Sequence, residues 1–225
     1  MKILEISDVH SRENENLNKY LNNNDIDLLI ISGDITNFGP LDFVDTFIKK
    51  LLNHDCNVIA IPGNCDVEGV CNAIKDSGAL CTHNNVVVYE NLAIFGYGGS
   101  NPTPFDTPGE VEDDKIYEDI SNLISENKKI YNDDNKIKIL LTHAPPFNSK
   151  ADLVENGDHV GSHAILDIIK NFNFDINLCG HIHEAKSIDK INGTIVANPG
   201  ILENNGAILI NIDENNEYSI EIISL

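Results

Sequence analysis

The chain has 225 residues, 41% of them hydrophobic, and sets 36 acidic against 15 basic side chains for a formal net charge of −21. This composition fits a globular chain with one sizeable core and excludes long disorder; the charge opposes binding to nucleic acid or anionic membranes, which relies on Lys and Arg. No apolar run approaches the ~20 residues of a membrane span, and Glu5 and Asp8 interrupt the opening before a secretory apolar region forms, so the expected location is the cytoplasm.

Residues 3–6, 28–31 and 58–61 are short runs rich in β-branched side chains, bounded by polar or Gly/Pro breakers, and read as buried strands. Between the second and third, Leu41, Phe43, Val44, Phe47, Ile48, Leu51 and Leu52 fall on one helical face behind Pro40. Val67, Val70, Cys71 and Ile74 form another such face, closed by Gly78. Residues 86–89 and 92–95 read as a hairpin around Glu90-Asn91, followed by a Gly/Pro-rich loop over 96–109. An amphipathic helix is predicted over 112–130, with an acidic start and basic end that complement its dipole. Strands are expected at 137–141, 176–179, 194–197, 207–212 and 218–223, and a helix at 165–169. The alternation implies α/β architecture with a largely parallel sheet, and no linker or repeat divides the single domain expected over 1–225.

Five of these strands are followed by Asp, Asn or His: Asp8-Val9-His10, Gly33-Asp34, Gly63-Asn64-Cys65-Asp66, Thr142-His143 and Gly180-His181-Ile182-His183. The carboxyl ends of strands are where α/β sheets build sites. Within Asp8/His10 and His181/His183, a spacing of two in extended chain turns both side chains to one side. Asp8, His10, Asp34, Asn64, His143, His181 and His183 supply only N and O donors, more than one tetrahedral ion uses. Two ions sharing one carboxylate would use them all. A single arginine, Arg12, leaves few guanidinium contacts for an anion, so metal is the expected source of local positive charge.

The ordered pattern D-x-H, G-D, G-N-x-D, H, G-H-x-H over residues 8–183 resembles the calcineurin-like metallophosphoesterase superfamily, in particular prokaryotic members with G-N-C-D. The resemblance implies a four-layer αββα sandwich of two mixed sheets. It assigns Asp8, His10, Asp34 and His183 to one ion and Asp34, Asn64, His143 and His181 to the other. It also assigns catalysis to Asp34, Asn64, Asp66 and His143. Mixed imidazole, carboxylate and amide donors favour Mn, Fe, Co, Ni or Zn. Two divalent ions against two carboxylates leave a locally positive site for a small phosphoester, with a metal-bridging hydroxide attacking phosphorus in line. A phosphodiester or cyclic nucleotide is preferred to a monoester.

Cys65 stands where many relatives carry a histidine that helps protonate the leaving group; a thiol is a poor substitute, so either another group protonates the leaving oxygen or the leaving group is acidic enough to need no help. His159, in a His-Val-Gly-Ser segment, and Arg12, close to His10, are the expected substrate contacts. The competing readings are a nuclease, which the charge opposes, and a protein-binding scaffold like the retromer subunit of this fold, which lacks part of the ligand set. Five cysteines without a CxxC pair read as thiols, and Cys56, Cys71, Cys81 and Cys179 as core filling. His54, His83 and His163 match no motif.

Overall fold

A computed structural model describes residues 1–225 as two six-stranded mixed sheets with helices on their outer faces. The first sheet has the order β12-β11-β1-β2-β3-β4. Its parallel centre is β1 (Lys2–Ile6), β2 (Leu28–Ile31), β3 (Asn57–Ala60) and the short β4 (Leu80–Cys81). On the other side of β1, β11 (Gly206–Ile212) and β12 (Tyr218–Ser224) add in antiparallel fashion. The second sheet has the order β5-β6-β7-β8-β10-β9. Here β6 (Leu92–Tyr97), β7 (Ile137–Thr142), β8 (Ile176–Leu178) and β10 (Thr194–Asn198) are parallel, edged by antiparallel β5 (Asn85–Tyr89) and β9 (Ser187–Ile191).

Alternation along the strands explains the layering. In β1, Ile3 faces the other sheet while Leu4 and Ile6 face the helices. Ile3, Leu28, Ile30, Ile59, Ile208 and Ile210 meet Leu92, Ile94, Ile139, Leu141 and Ile176 in an apolar layer between the sheets. Outside the first sheet lie α1 (Glu15–Asn23), α2 (Leu41–Leu52) and α3 (Val70–Asp76), with Leu17, Leu21, Val44, Ile48 and Ile74 buried. Outside the second lie α4 (Asp113–Glu126), α5 (Lys128–Tyr131) and α6 (His163–Asn171). Ile116, Ile120, Ile165 and Ile168 pack there on Phe95 and Leu140. Each such side chain contributes roughly 1.5–3 kcal/mol by leaving water. This is the expected α/β sandwich of four layers.

Several elements differ from the sequence reading. The Asn-rich segment before β2 forms α1, started by Asn14, whose side chain accepts the N–H of Asn16 (2.8 Å) and Leu17 (3.1 Å). The helix predicted over 112–130 breaks at Asn127, whose side chain reaches back to the Leu123 carbonyl at 2.9 Å. Strands β4 and β9 had no clear pattern in the sequence. Cys71 and Cys81, expected as thiols, form a disulfide between α3 and β4 with their Cα atoms 5.6 Å apart; Cys56, Cys65 and Cys179 remain free. No helix is long and apolar enough to cross a membrane.

Candidate metal centre

The ligand-bearing turns follow the carboxyl ends of β1, β2, β3, β7 and β8, so both sheets deliver side chains to one edge. The backbone there is not extended. Asp8, His10, Asp34 and His181 have φ of 56°, 48°, 48° and 68°, the left-handed region that costs a non-glycine residue roughly 1–2 kcal/mol. The convergence expected from strand alternation is thus achieved by tight turns. Backbone bonds hold them: His10 N–H donates to the Asp34 carbonyl at 2.9 Å, and Asp8 N–H to the Gly33 carbonyl at 3.2 Å. Close approach at the centre demands glycine twice. A Cβ on Gly33 would strike the His143 ring, and one on Gly63 would strike the Asp34 carboxylate and backbone nitrogen.

All seven predicted ligands come together. His10 Nε2 lies 3.0 Å from His183 Nε2. Asp8 Oδ1 is 3.3 Å from His183 Nε2 and 3.8 Å from His10 Nε2. Asp34 stands between two groups, with Oδ2 3.7 Å from His10 Nε2 and Oδ1 3.5 Å from His143 Nε2. Asn64 Oδ1 is 2.9 Å from His143 Nε2. The His181 ring lies edge-on to that of His143, centroids 5.1 Å apart. Asp8, Asp34, Asn64 and His143 are buried, while His10, His181 and His183 face a partly open mouth.

Without metal, the site balances its own charge. Burial opposes a proton on His143, but the Asp34 and Asp8 carboxylates outweigh it and raise the ring to about 9. Burial likewise opposes ionised Asp34, yet the His143 charge and hydrogen bond hold it well below the usual carboxylate range. For Asp8, burial is overcome by the His183 contact and the His143 charge, and the pKa falls. His183 is raised, since contact with Asp8 outweighs its burial. Burial lowers His10, and burial with the His143 charge lowers His181 to about 4. The protonated His143 ring therefore faces two carboxylates.

The other predicted residues have distinct settings. Asp66 is buried, and its carboxylate accepts N–H groups from Gly63 (2.8 Å), Ile35 (3.0 Å) and Thr36 (2.7 Å) and the Thr36 hydroxyl (2.8 Å). It braces the turns that carry Asp34 and Asn64. Arg12 is exposed and pairs with Glu203. His159 Nδ1 lies 2.6 Å from Asp152 Oδ1. Cys65 places its sulfur near His10 and Asp34, with ligand atoms within 4.8 Å of one another. Burial and the Asp34 charge push its thiol far up, so it keeps its proton there.

Three supporting groups left no mark in the sequence. The Ser32 carbonyl receives His143 Nδ1 at 2.7 Å. The Thr107 hydroxyl receives the Asn64 amide at 2.8 Å, fixing Asn64 Oδ1 toward the centre. Asn198 donates to the carbonyls of Gly180 (3.3 Å) and Ile182 (3.0 Å), one on each side of His181. Such contacts join residues distant in sequence.

The donor set fits metal ions. Asp8 Oδ1 is buried and receives no well-aligned hydrogen bond, so it lacks a partner that a cation would supply. The atoms facing away from the centre are fixed in two of these groups, His143 Nδ1 by the Ser32 carbonyl and Asp8 Oδ2 by the His181 N–H at 3.1 Å, the arrangement that orients ligands.

Comparison with known proteins agrees with this geometry. The uncharacterized protein MJ1162 of Methanocaldococcus jannaschii is 38% identical over 203 residues, 88% of each chain. One solved crystal structure superposes with a TM-score of 0.80 at 18% identity, covering 98% of both chains. TT1561 of Thermus thermophilus superposes at 0.73 with 15% identity, over 98% of this chain and 97% of its own. These two share the fold. The calcineurin-like phosphoesterase profile matches residues 1–185, the span that holds all seven candidate ligands, and the chain belongs to that family.

Proposed function

We propose that this chain, working as one unit over 1–225 in the cytoplasm, hydrolyses a phosphoester bond in a small molecule. A phosphodiester or cyclic nucleotide is preferred to a monoester. Asp8, His10, Asp34 and His183 would hold one divalent transition-metal ion, and Asp34, Asn64, His143 and His181 a second. When bound, such ions lower the pKa of a water nucleophile and neutralise charge on phosphoryl oxygens. The observation that carries the reading is the buried Asp8 Oδ1, which no hydrogen bond satisfies although His183 Nε2 lies 3.3 Å away, at the focus of the donor set.

The chain's own groups then have separable tasks. Asp34 lies between the two donor clusters, and Asp66 positions it through the Ile35 and Thr36 backbone. Thr107 keeps the Asn64 amide nitrogen turned away from the centre. His143 presents Nε2 inward because Ser32 takes Nδ1. His159 and Arg12 serve the substrate, Arg12 by exchanging Glu203 for a phosphoryl oxygen.

The test is an activity panel on protein reconstituted with Mn, Fe, Co, Ni or Zn, comparing monoesters, diesters, cyclic nucleotides and polynucleotides. Turnover of small esters that chelation abolishes is the expected result. Preference for polynucleotides would favour a nuclease, and no turnover with any metal would favour a binding scaffold.

A further inference from the structure

The loop between β7 and α6 holds an imidazole–carboxylate pair that the seven ligands do not use. Asp152 is completely buried. Its carboxylate accepts backbone N–H groups from Asn148 (3.0 Å), Ser149 (2.9 Å) and Gly161 (3.0 Å). His159 Nδ1 adds a fourth contact at 2.6 Å. With Asp152 as acceptor, Nδ1 is the donor and Nε2 is the ring nitrogen left to hold or pass a proton. The edge-on ring of Phe147, with centroids 6.0 Å apart, limits how the imidazole can turn. The side chain remains 30% exposed, so a ligand can reach a ring whose direction is already set.

Contacts of the neighbouring residues tie the loop to two segments that support the metal centre. Ala151, next to Asp152, gives its carbonyl to the Asn198 amide (3.1 Å), the same amide that binds the carbonyls flanking His181. Val160, next to His159, gives its carbonyl to the Asn101 amide (3.3 Å). The loop carrying Asn101 also carries Thr107, which holds Asn64. The loop that carries His159 is therefore tied on one side to the segment presenting His181 and on the other to the loop bracing Asn64. His10, His143 and His183 direct Nε2 at other donors of the centre. His83 Nδ1 accepts the Gly98 N–H at 2.9 Å, and His163 stacks on Phe147.

We propose that His159 gives the leaving group its proton, with Asp152 as the positioning residue; this rests on the phosphoesterase reading above. As water oxygen bonds to phosphorus, the bond from phosphorus to the leaving oxygen breaks and its electron pair stays on that oxygen. The proton on Nε2 passes to the same oxygen, leaving a neutral imidazole whose Nδ1–H still meets Asp152. The proton released by the attacking water returns to Nε2 through solvent, so no other reactant is consumed.

The experiment compares methyl, phenyl and 4-nitrophenyl esters of one phosphodiester series on zinc-loaded wild type, His159→Asn, His159→Gln and Asp152→Asn. Loss of acid catalysis should lower kcat/KM of the His159 variants about 100-fold for the methyl ester, but less than about threefold for the nitrophenyl ester. Asp152→Asn should steepen the same leaving-group dependence at unchanged zinc content, an effect that mere destabilisation does not produce. A uniform loss across the series overturns the proposal while sparing the phosphoesterase reading. No turnover of any ester overturns that reading, and ring-nitrogen NMR of the zinc-loaded protein with inorganic phosphate then decides on His159. Phosphate should shift Nε2 and leave Nδ1 in place; a silent Nε2 overturns the proposal.

Discussion

Nδ1 of His143 donates to the carbonyl oxygen of Ser32 across 2.7 Å, and this bond decides which nitrogen the ring turns toward the centre. A carbonyl only accepts, so Nδ1 carries hydrogen, and Nε2 meets Asn64 Oδ1 at 2.9 Å and Asp34 Oδ1 at 3.5 Å. In the metal-free protein Nε2 also keeps its proton up to about 9, because the carboxylates outweigh burial. An ion at Nε2 must displace that proton.

Metal affinity is therefore expected to rise about tenfold per pH unit through this ring below about 9 and to level off above it, with proton release on binding. Calorimetry in buffers of different ionisation enthalpy measures it, and a pH-independent affinity would count against it. Stability of the metal-free protein runs the other way. The folded pKa lies above the ordinary 6.5, so this ring's contribution is complete below 6.5 and is lost as pH rises through about 9.

Elemental analysis of reconstituted protein should find two ions per chain. Asp34→Asn should lower the content to one or none, since Asp34 Oδ2 faces His10 and Oδ1 faces His143. A full pair of tightly held ions in that variant would show that Asp34 does not serve both.

Cys65 sits near His10 and Asp34 with a thiol that burial and the Asp34 charge keep protonated. In wild type, Cys65→His should change alkyl-ester turnover little if His159 already supplies the proton. In the His159→Asn background it should restore kcat/KM by about tenfold or more. Equal effects in both backgrounds would separate the two positions.

Small esters and polymers should respond to salt in opposite senses. A small phosphodiester meets mainly the local centre, because the surrounding charge is screened within ~8 Å at physiological ionic strength. A polynucleotide spreads phosphates over a surface whose formal charge is −21. Small diesters should outcompete DNA in kcat/KM, and added salt should narrow the gap. Efficient DNA cleavage at low salt, lost with chelation and with His143→Ala, would establish a nuclease.

The Cys71–Cys81 bond predicts three alkylatable thiols in denatured, unreduced protein, against five after reduction. Closing a loop with a sequence separation of 10 is worth roughly 3 kcal/mol in the chain-entropy account, so Cys71→Ser should lower stability by up to about that amount. Five reactive thiols without reductant would show that the bond is absent in the protein as isolated.

The strands were legible because parallel strands buried on both faces leave continuous apolar runs, as Leu28–Ile31 does. The cluster of candidate ligands was legible because each of its residues follows such a run within a few positions. Helix α1 was obscured by a stretch with only Leu17 and Leu21 buried, whose start depends on the Asn14 side chain. The disulfide and the grip of Asp152 on His159 depend on which loops fold against each other. The left-handed turns at Asp8, His10, Asp34 and His181 were hidden for a related reason: Asp and His enter that region more often than most residues, yet only a small share of them do, and which ones depends on the tertiary bonds around them.

The placement of β1 has a consequence for biosynthesis. Ile3 pairs with Leu28 on one side but with Ile210 on the other. A ribosome emitting ~5–20 residues per second takes roughly 10–40 s to supply that second partner. During this interval the apolar edge of β1 is open to pairing with other chains. Residues 1–185, though they hold every candidate ligand, lack β9 to β12 and leave both sheets short of strands. The candidate site is encoded early in the chain, but its scaffold closes only when β9 to β12 arrive.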